Sequence, residues 1–123
     1  MQKQKLIGLM IALVLVSLVV TVRAPEASAA PAALPQLIEL FSPTCPHCQR
    51  MAPVIDKVRA QLQGKAEVVA IDIGKNAAAA EKYQVSAIPT LVFLDAAGKE
   101  VFRHVGEFPA EDILAKMREL GWR

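Results

Sequence analysis

The only two cysteines of the 123-residue chain lie three positions apart, in the segment Cys45-Pro46-His47-Cys48. Residues with this spacing share one face of a helix, so their sulfur atoms can meet in a disulfide. A disulfide that closes so short a loop removes little chain entropy and contributes little to stability. The pair therefore indicates reversible two-electron chemistry between a dithiol and a disulfide, rather than an inert structural bridge.

The two thiols are expected to differ in acidity. Cys45 stands at the predicted start of a helix, where unpaired backbone N–H groups stabilise an anion. Such settings lower the pKa of a thiol from about 8.5 toward roughly 3.5 to 7.5. Cys48 lies one turn further along, and we expect it to be more buried, with a higher pKa. We predict that Cys45 exchanges with the substrate and that Cys48 resolves the mixed disulfide.

Two other ionisable side chains are predicted to assist this chemistry. A protonated His47 would place positive charge beside the Cys45 thiolate and make the disulfide more oxidising. Glu39 is the one charged residue in an apolar strand, so burial should raise its pKa and let it exchange protons with Cys48 through water. The alternatives are an exposed imidazole without a partner and a carboxylate on an exposed strand edge.

Metal binding is a weaker interpretation of the cysteine pair. Two thiolates supply half of a tetrahedral zinc site, but the sequence has no second cysteine pair and its only histidines are His47 and His104. Haem attachment would need histidine directly after the second cysteine, where Gln49 stands. No metal and no cofactor are therefore predicted. Two rival functions stay open: a metal carrier that completes its site with a partner's ligands, and a peptide-binding module with incidental cysteines.

Residues 1–29 have the order of an export signal. Lysines come first, residues 6–22 are apolar and uncharged, and Ala27-Ser28-Ala29 supplies the small residues of a cleavage site. The apolar run is also at the short end for a membrane span. Cleavage after Ala29 and retention as an inner-membrane anchor are therefore both open, and either would place the domain in the oxidising bacterial periplasm or cell envelope.

The rest of the chain is predicted to be a linker at residues 30–36 and one domain at residues 37–123. The net charge of +2 is divided between a basic leader and a nearly neutral domain. Basic residues form no block interleaved with aromatic ones, so nucleic acid is not an expected partner.

The domain is predicted to alternate strands with helices. Strands are expected at residues 37–41, 66–73, 90–94 and 99–105, and helices at residues 46–63, at residues 77–83 and from Pro109 onward. Strands joined through a helix should run parallel, and the last two should form a hairpin. The result is a small mixed sheet with helices on both faces, in which strand 37–41 is expected to be central.

These motifs resemble the thioredoxin family over about residues 37–120. The resemblance rests on residues 41–48, on Met51-Ala52-Pro53, on Ile88-Pro89-Thr90 and on Val105-Gly106. It implies a minimal thioredoxin-like α/β fold, with a four-stranded mixed sheet flanked by three helices, and the activity of a protein-disulfide oxidoreductase. It also implies a cis bond before Pro89, with Ile88, Pro89 and Pro46 as the residues that receive an extended substrate peptide.

The sequence also departs from the thioredoxin pattern. Thr44 replaces the family's tryptophan, and Pro46-His47 replaces its Gly-Pro. Pro-His is the dipeptide of the DsbA family of periplasmic oxidases, although the helical insertion of that family has no room before Pro89. We therefore expect a couple between the potentials of about −270 mV for thioredoxin and −120 mV for DsbA.

Glu39 stands where thioredoxins keep a buried aspartate, and Ala70 where they place a lysine near it. The first strand and helix of thioredoxins have no counterpart before Leu37, so strand 66–73 is expected to be an exposed edge of the sheet.

The sequence therefore predicts an exported, monomeric thiol–disulfide oxidoreductase that uses Cys45 and Cys48 on envelope proteins. Its partners are expected to be protein thiols or disulfides, with a membrane electron donor or acceptor as a further candidate. The direction of electron flow stays open.

Overall fold

The computed structural model describes residues 33–122. The predicted leader at residues 1–29 and the first part of the linker lie outside the described residues. In the described part of the chain, no helix has both the length and the apolar character needed to cross a membrane.

Within the described residues, seven elements follow one another in the predicted order. The strands are β1 (Gln36–Phe41), β2 (Glu67–Asp72), β3 (Thr90–Leu94) and β4 (Glu100–Val105), and the helices are α1 (Pro46–Gln61), α2 (Ala77–Lys82) and α3 (Ala110–Glu119). Four strands in one mixed sheet with three helices confirm the predicted α/β fold class.

Local sequence signals explain where the helices begin. Pro46 occupies the first turn of α1, where its missing N–H leaves no hydrogen bond unmade. Asn76 caps α2, because its side-chain Oδ1 accepts a 3.0 Å hydrogen bond from the backbone N–H of Ala79. In α3, acidic side chains occupy the first turn and basic side chains the last, as the helix dipole favours.

The sheet has the order β2-β1-β3-β4. The predicted interior position of β1 and edge position of β2 are confirmed, and these two strands pair in parallel. The prediction that strands joined through a helix run parallel is wrong for β3, which is antiparallel to β1.

The connection between β2 and β3 contains the short helix α2. Its six residues extend only about 9 Å, whereas a six-residue strand such as β2 extends about 20 Å. Helix α2 by itself therefore spans less than half of the length of β2, and the chain enters β3 at the end of the sheet where β2 stopped. The register agrees: Phe41 pairs with Asp72, and its neighbour Leu40 pairs with Thr90. Strand β3 thus begins at the end of the sheet where β1 and β2 finish.

Alternating side chains of the sheet build a core on each face. On one face, Leu37, Leu91 and Phe93 pack with buried residues of α1 and α3. On the other face, Ile38 and Val92 belong to a smaller cluster that includes Ala79 of α2. Helices therefore cover both faces, as predicted, and α1 lies on the same face as the side chains of odd-numbered β1 residues.

Candidate active site

Three separate chain segments meet at one end of the sheet, where β1 and β2 finish and β3 begins. At this end of the sheet, the loop to α1 follows β1, Pro89 directly precedes β3, and Gly106 follows β4. The backbone N–H of Gly106 donates a 2.8 Å hydrogen bond to the carbonyl oxygen of Pro89, which joins two of the segments. The antiparallel course of β3 thus places the start of α1 and Pro89 at the same end of the sheet.

Cys45 is the N-terminal capping residue of α1, with extended backbone angles and no side-chain capping bond. Its thiol is free and partly accessible. Several groups lower the pKa of Cys45: first the backbone N–H of Cys48, then the Cys48 thiol, the backbone N–H of His47 and the charge of Arg50. The unpaired N–H groups of the helix start thus stabilise the thiolate, as the sequence predicted.

Cys48 has the opposite character. It is buried, with 3% of its surface exposed, and its thiol is also free. Burial is the main cause that raises the pKa of Cys48 to about 11, and the neighbouring Cys45 and Glu39 raise it further. The structure therefore confirms the expected difference between the two thiols, with an acidic accessible sulfur beside a buried one that keeps its proton.

Glu39 is buried in β1, with 4% of its surface exposed. Its side chain is on the α1 face, and a cavity of about 220 Å³ is lined by both Glu39 and Cys48. Desolvation raises the pKa of Glu39 to about 7, although the nearby Arg59 acts in the opposite direction. The alternative of a carboxylate on an exposed edge is therefore wrong. Ala70 pairs with Glu39 across the sheet and lines the same cavity, which has room for water.

His47 has a partner that the sequence did not reveal. Its Nδ1 atom lies 2.6 Å from Oε1 of Glu107, a residue just after β4. The same ring nitrogen lies 2.7 Å from Nη2 of Arg50, one helical turn along α1. The positive charge that lowers the pKa of Cys45 is that of Arg50, whereas His47 contributes its backbone N–H. The imidazole is thus neither unpartnered nor an isolated positive charge beside the thiolate.

The contacts of His47 depend on its protonation state. Nδ1 can accept a hydrogen bond from Arg50 only when it carries no proton, and it can donate to Glu107 only when it does. Hydrogen bonds from Arg50, and secondarily from His47, lower the pKa of Glu107, which keeps this carboxylate charged. Arg50 could have been suspected because it is three residues from His47 on the helix. Nothing local in the sequence indicates Glu107.

The predicted substrate-binding residues have different exposures. Pro46 is exposed at the start of α1, Ile88 is half-buried, and the side chain of Pro89 is fully buried. The peptide bond between Ile88 and Pro89 is cis. Within residues 33–122, no three His, Cys, Asp or Glu side chains are grouped so that they could hold a metal ion.

A mixed α/β sheet with an asymmetric dithiol at a helix start defines the class of thiol–disulfide oxidoreductases. The comparisons with known proteins agree. The thioredoxin family model matches residues 19–119, and the chain therefore belongs to the thioredoxin family. A thioredoxin of Staphylococcus aureus strain N315 is 38% identical over 79 residues, which are 63% of this chain and 74% of that protein.

Two solved structures are also similar. Chloroplastic thioredoxin z is 25% identical with a TM-score of 0.66, and the match covers 72% of this chain and 79% of that one. Thioredoxin-2, described as a component of the protein secretion machinery of the malaria parasite, shares the fold at 20% identity. Its TM-score is 0.67, with coverage of 70% of this chain and 82% of that one. The protein is a protein-disulfide oxidoreductase with protein thiols or disulfides as substrates.

Proposed function

We propose that this chain exchanges disulfides with extended segments of bacterial envelope proteins, with Cys45 as the attacking thiol and Cys48 as the resolving thiol. The observation that carries the proposal is the contrast between the accessible, acidified Cys45 and the buried, protonated Cys48. Only the thiolate is a good nucleophile at neutral pH. The substrate peptide would lie along Ile88 and Pro89, next to Pro46.

In the reducing direction, the exchange has two steps. The Cys45 thiolate attacks one sulfur of a substrate disulfide, which forms a mixed disulfide and releases the other substrate sulfur as a thiol after it gains a proton. The Cys48 thiol then loses its proton and attacks the sulfur of Cys45. This releases the second substrate thiol and leaves a Cys45–Cys48 disulfide, so two electrons have passed from the dithiol to the substrate. The oxidising direction is the reverse.

Glu39 is the proposed acceptor of the Cys48 proton. Its pKa of about 7 lets the carboxyl group both take and return a proton near neutral pH. The cavity shared by Glu39 and Cys48 supplies a route through water. A buried base is needed because a thiol with a pKa of about 11 is almost entirely protonated at pH 7.

The first test is catalysis by the wild-type domain. We expect the reduced protein to accelerate the reduction of insulin disulfides by dithiothreitol. Equilibration with glutathione buffers should give a potential between those of thioredoxin, about −270 mV, and DsbA, about −120 mV. A protein that leaves the insulin reaction at its uncatalysed rate would refute the proposed function. A couple as reducing as thioredoxin would refute only the intermediate potential.

We further propose that residues 1–29 direct export, that residues 30–36 form a linker and that a monomeric domain works on the outer side of the inner membrane. A membrane electron donor or acceptor would then recycle the dithiol. N-terminal sequencing of the protein from fractionated cells tests the export step. We expect either a start directly after Ala29 in the periplasmic fraction or an intact leader in the membrane fraction. Intact chain in the cytosolic fraction alone would contradict export.

A further inference from the structure

The loop after β4 is attached to the rest of the site by backbone hydrogen bonds on both sides. The N–H of Gly106 donates to the carbonyl oxygen of Pro89, which directly precedes β3. Two residues later, the N–H of Phe108 donates to Sδ of Met51 in α1 at 3.3 Å. The intervening residue, Glu107, is therefore held between the proline and the helix that carries the two cysteines.

His104 attaches the same loop to β4. The ring of His104 stacks on the ring of Phe108 with 4.1 Å between their centroids. Its Nε2 atom lies 3.0 Å from the carbonyl oxygen of Glu107, to which an Nε2–H can donate. Contacts with Pro89, with α1 and with His104 of β4 thus position the backbone around Glu107, independently of its side chain.

The side chain of Glu107 faces the first two turns of α1. Its Oε1 atom accepts hydrogen bonds from Nε of Arg50, at 2.9 Å, and from Nη2 of the same guanidinium. Nδ1 of His47 lies 2.6 Å from the same oxygen. One carboxylate oxygen therefore contacts both the guanidinium of Arg50 and the imidazole of His47.

This arrangement has a consequence for charge near the reactive sulfur. Among the groups that lower the pKa of Cys45, of which the backbone N–H of Cys48 acts most strongly, Arg50 supplies a positive charge, and the negative charge of Glu107 is paired with it. Both partners are partly exposed, with 56% and 40% of their side-chain surfaces accessible. Their effect on the sulfur is therefore modest and screened by salt. The other charged or titratable groups around the dithiol are His47 on α1 and, lining the cavity beside Cys48, Glu39 on β1 with Asp56 and Arg59 on α1.

We propose that Glu107 is a positioning residue for thiol–disulfide exchange: it holds Arg50 and offsets its charge, and it thereby keeps the Cys45–Cys48 couple less oxidising. The proposal rests on the proposed function, because it assigns a role in that same reaction. Its physical basis is that a thiolate-stabilising charge favours the reduced form and makes the disulfide a stronger oxidant.

Three variants test the proposal through the equilibrium with glutathione. In Glu107→Gln, the amide oxygen still accepts from Arg50 but the negative charge is gone. The equilibrium constant for oxidation of the dithiol by glutathione disulfide should then fall about threefold, an effect of the size expected for exposed charges. For a two-electron couple, threefold corresponds to a rise of roughly 15 mV. Arg50→Gln should shift the constant about threefold in the opposite direction.

The double variant Arg50→Gln/Glu107→Gln tests whether the two charges offset each other in the equilibrium with glutathione. Because both charges are removed together, its equilibrium constant should return close to that of the wild type. Glu107→Lys adds a positive charge and should shift the constant in the same direction as Glu107→Gln, but further. A role in packing the loop alone would not scale with charge in this way.

The chain offers a matched control in the pair of Lys57 and Glu111. Here too a cation of α1 contacts an exposed glutamate, on α3, at 2.9 Å, but away from the cysteines. Glu111→Gln should leave the equilibrium with glutathione unchanged. An equal shift in Glu111→Gln and Glu107→Gln would overturn the proposal, as would no shift in Glu107→Gln.

The rate of iodoacetamide alkylation of Cys45 as a function of pH gives a second readout that does not require turnover. We expect the pKa from this titration to fall in Glu107→Gln and to rise in Arg50→Gln. If the wild type failed to catalyse insulin reduction, the proposed function would fail while these shifts could still be measured. If catalysis were normal and both pKa values equalled that of the wild type, only the inference about Glu107 would fail.

Discussion

Cys48→Ser is expected to turn the protein from a catalyst into a trap. Cys45 keeps its position at the start of α1, so its thiolate still attacks substrate disulfides. The mixed disulfide then lacks the neighbouring thiol that resolves it. An intramolecular attack benefits from a very high effective concentration, so its loss should slow insulin reduction by at least about a hundredfold. Substrate proteins should accumulate on Cys45 and be released by added dithiothreitol.

Cys45→Ser is the matched partner of this variant. It removes the accessible thiol and leaves Cys48, which is buried and whose pKa is raised to about 11. We expect it to show neither turnover nor trapped substrate on non-reducing gels. Equal amounts of mixed disulfide in the two variants would mean that the assignment of attacking and resolving thiols is wrong. Insulin reduction that persists in Cys45→Ser would refute the cysteine mechanism itself.

Glu39→Gln is expected to make the domain more stable at alkaline pH. Burial raises the pKa of Glu39 from 4.5 to about 7 in the folded protein. Below pH 4.5 the carboxyl group is protonated in both the folded and the unfolded states, so its ionisation does not reduce the free energy of unfolding. Between 4.5 and 7 the unfolded chain gives up the proton that the folded protein retains, and the free energy of unfolding falls as pH rises. Above pH 7 the carboxyl group is charged in both states, and the free energy of unfolding stays lowered by the full amount.

The size of this cost follows from the two pKa values. It amounts to about 3 kcal/mol of unfolding free energy above pH 7. Glutamine has nearly the same shape and carries no charge, so Glu39→Gln should be about 3 kcal/mol more stable than the wild type at pH 8 and similar to it at pH 4. Urea unfolding at a series of pH values measures the difference.

Glu39→Gln should also slow insulin reduction by at least about tenfold, because the proposed proton acceptor is lost.

Glu81→Gln is the control for this experiment. Glu81 is an exposed carboxylate on α2, on the other side of the sheet from Cys48, so the same substitution there should change neither stability nor turnover. If Glu39→Gln and the wild type had parallel stability curves from pH 4 to 8, the ionisation of Glu39 would not be costly. A stabilised variant with normal turnover would instead remove Glu39 from the proton pathway and leave its burial intact.

Local rules were sufficient for the cysteine pair and the elements around it. The spacing of Cys45 and Cys48, with Pro46 between them, predicted a helix start that acidifies one thiol and buries the other. An apolar strand interrupted by one acid predicted the burial of Glu39. These features depend on hydrogen bonds and side-chain periodicity within a few residues, so the sequence is enough to predict them.

The tertiary structure alone decided which distant residues meet. The antiparallel course of β3 is part of the arrangement of the whole sheet, and it brings Pro89 to the end of the sheet where α1 begins. Glu107 reaches Arg50 and His47 across 57 and 60 residues of chain. Such contacts follow from how whole elements pack, for which side-chain periodicity carries no signal. The same cysteine motif therefore acquires a charge environment that its own four residues do not determine.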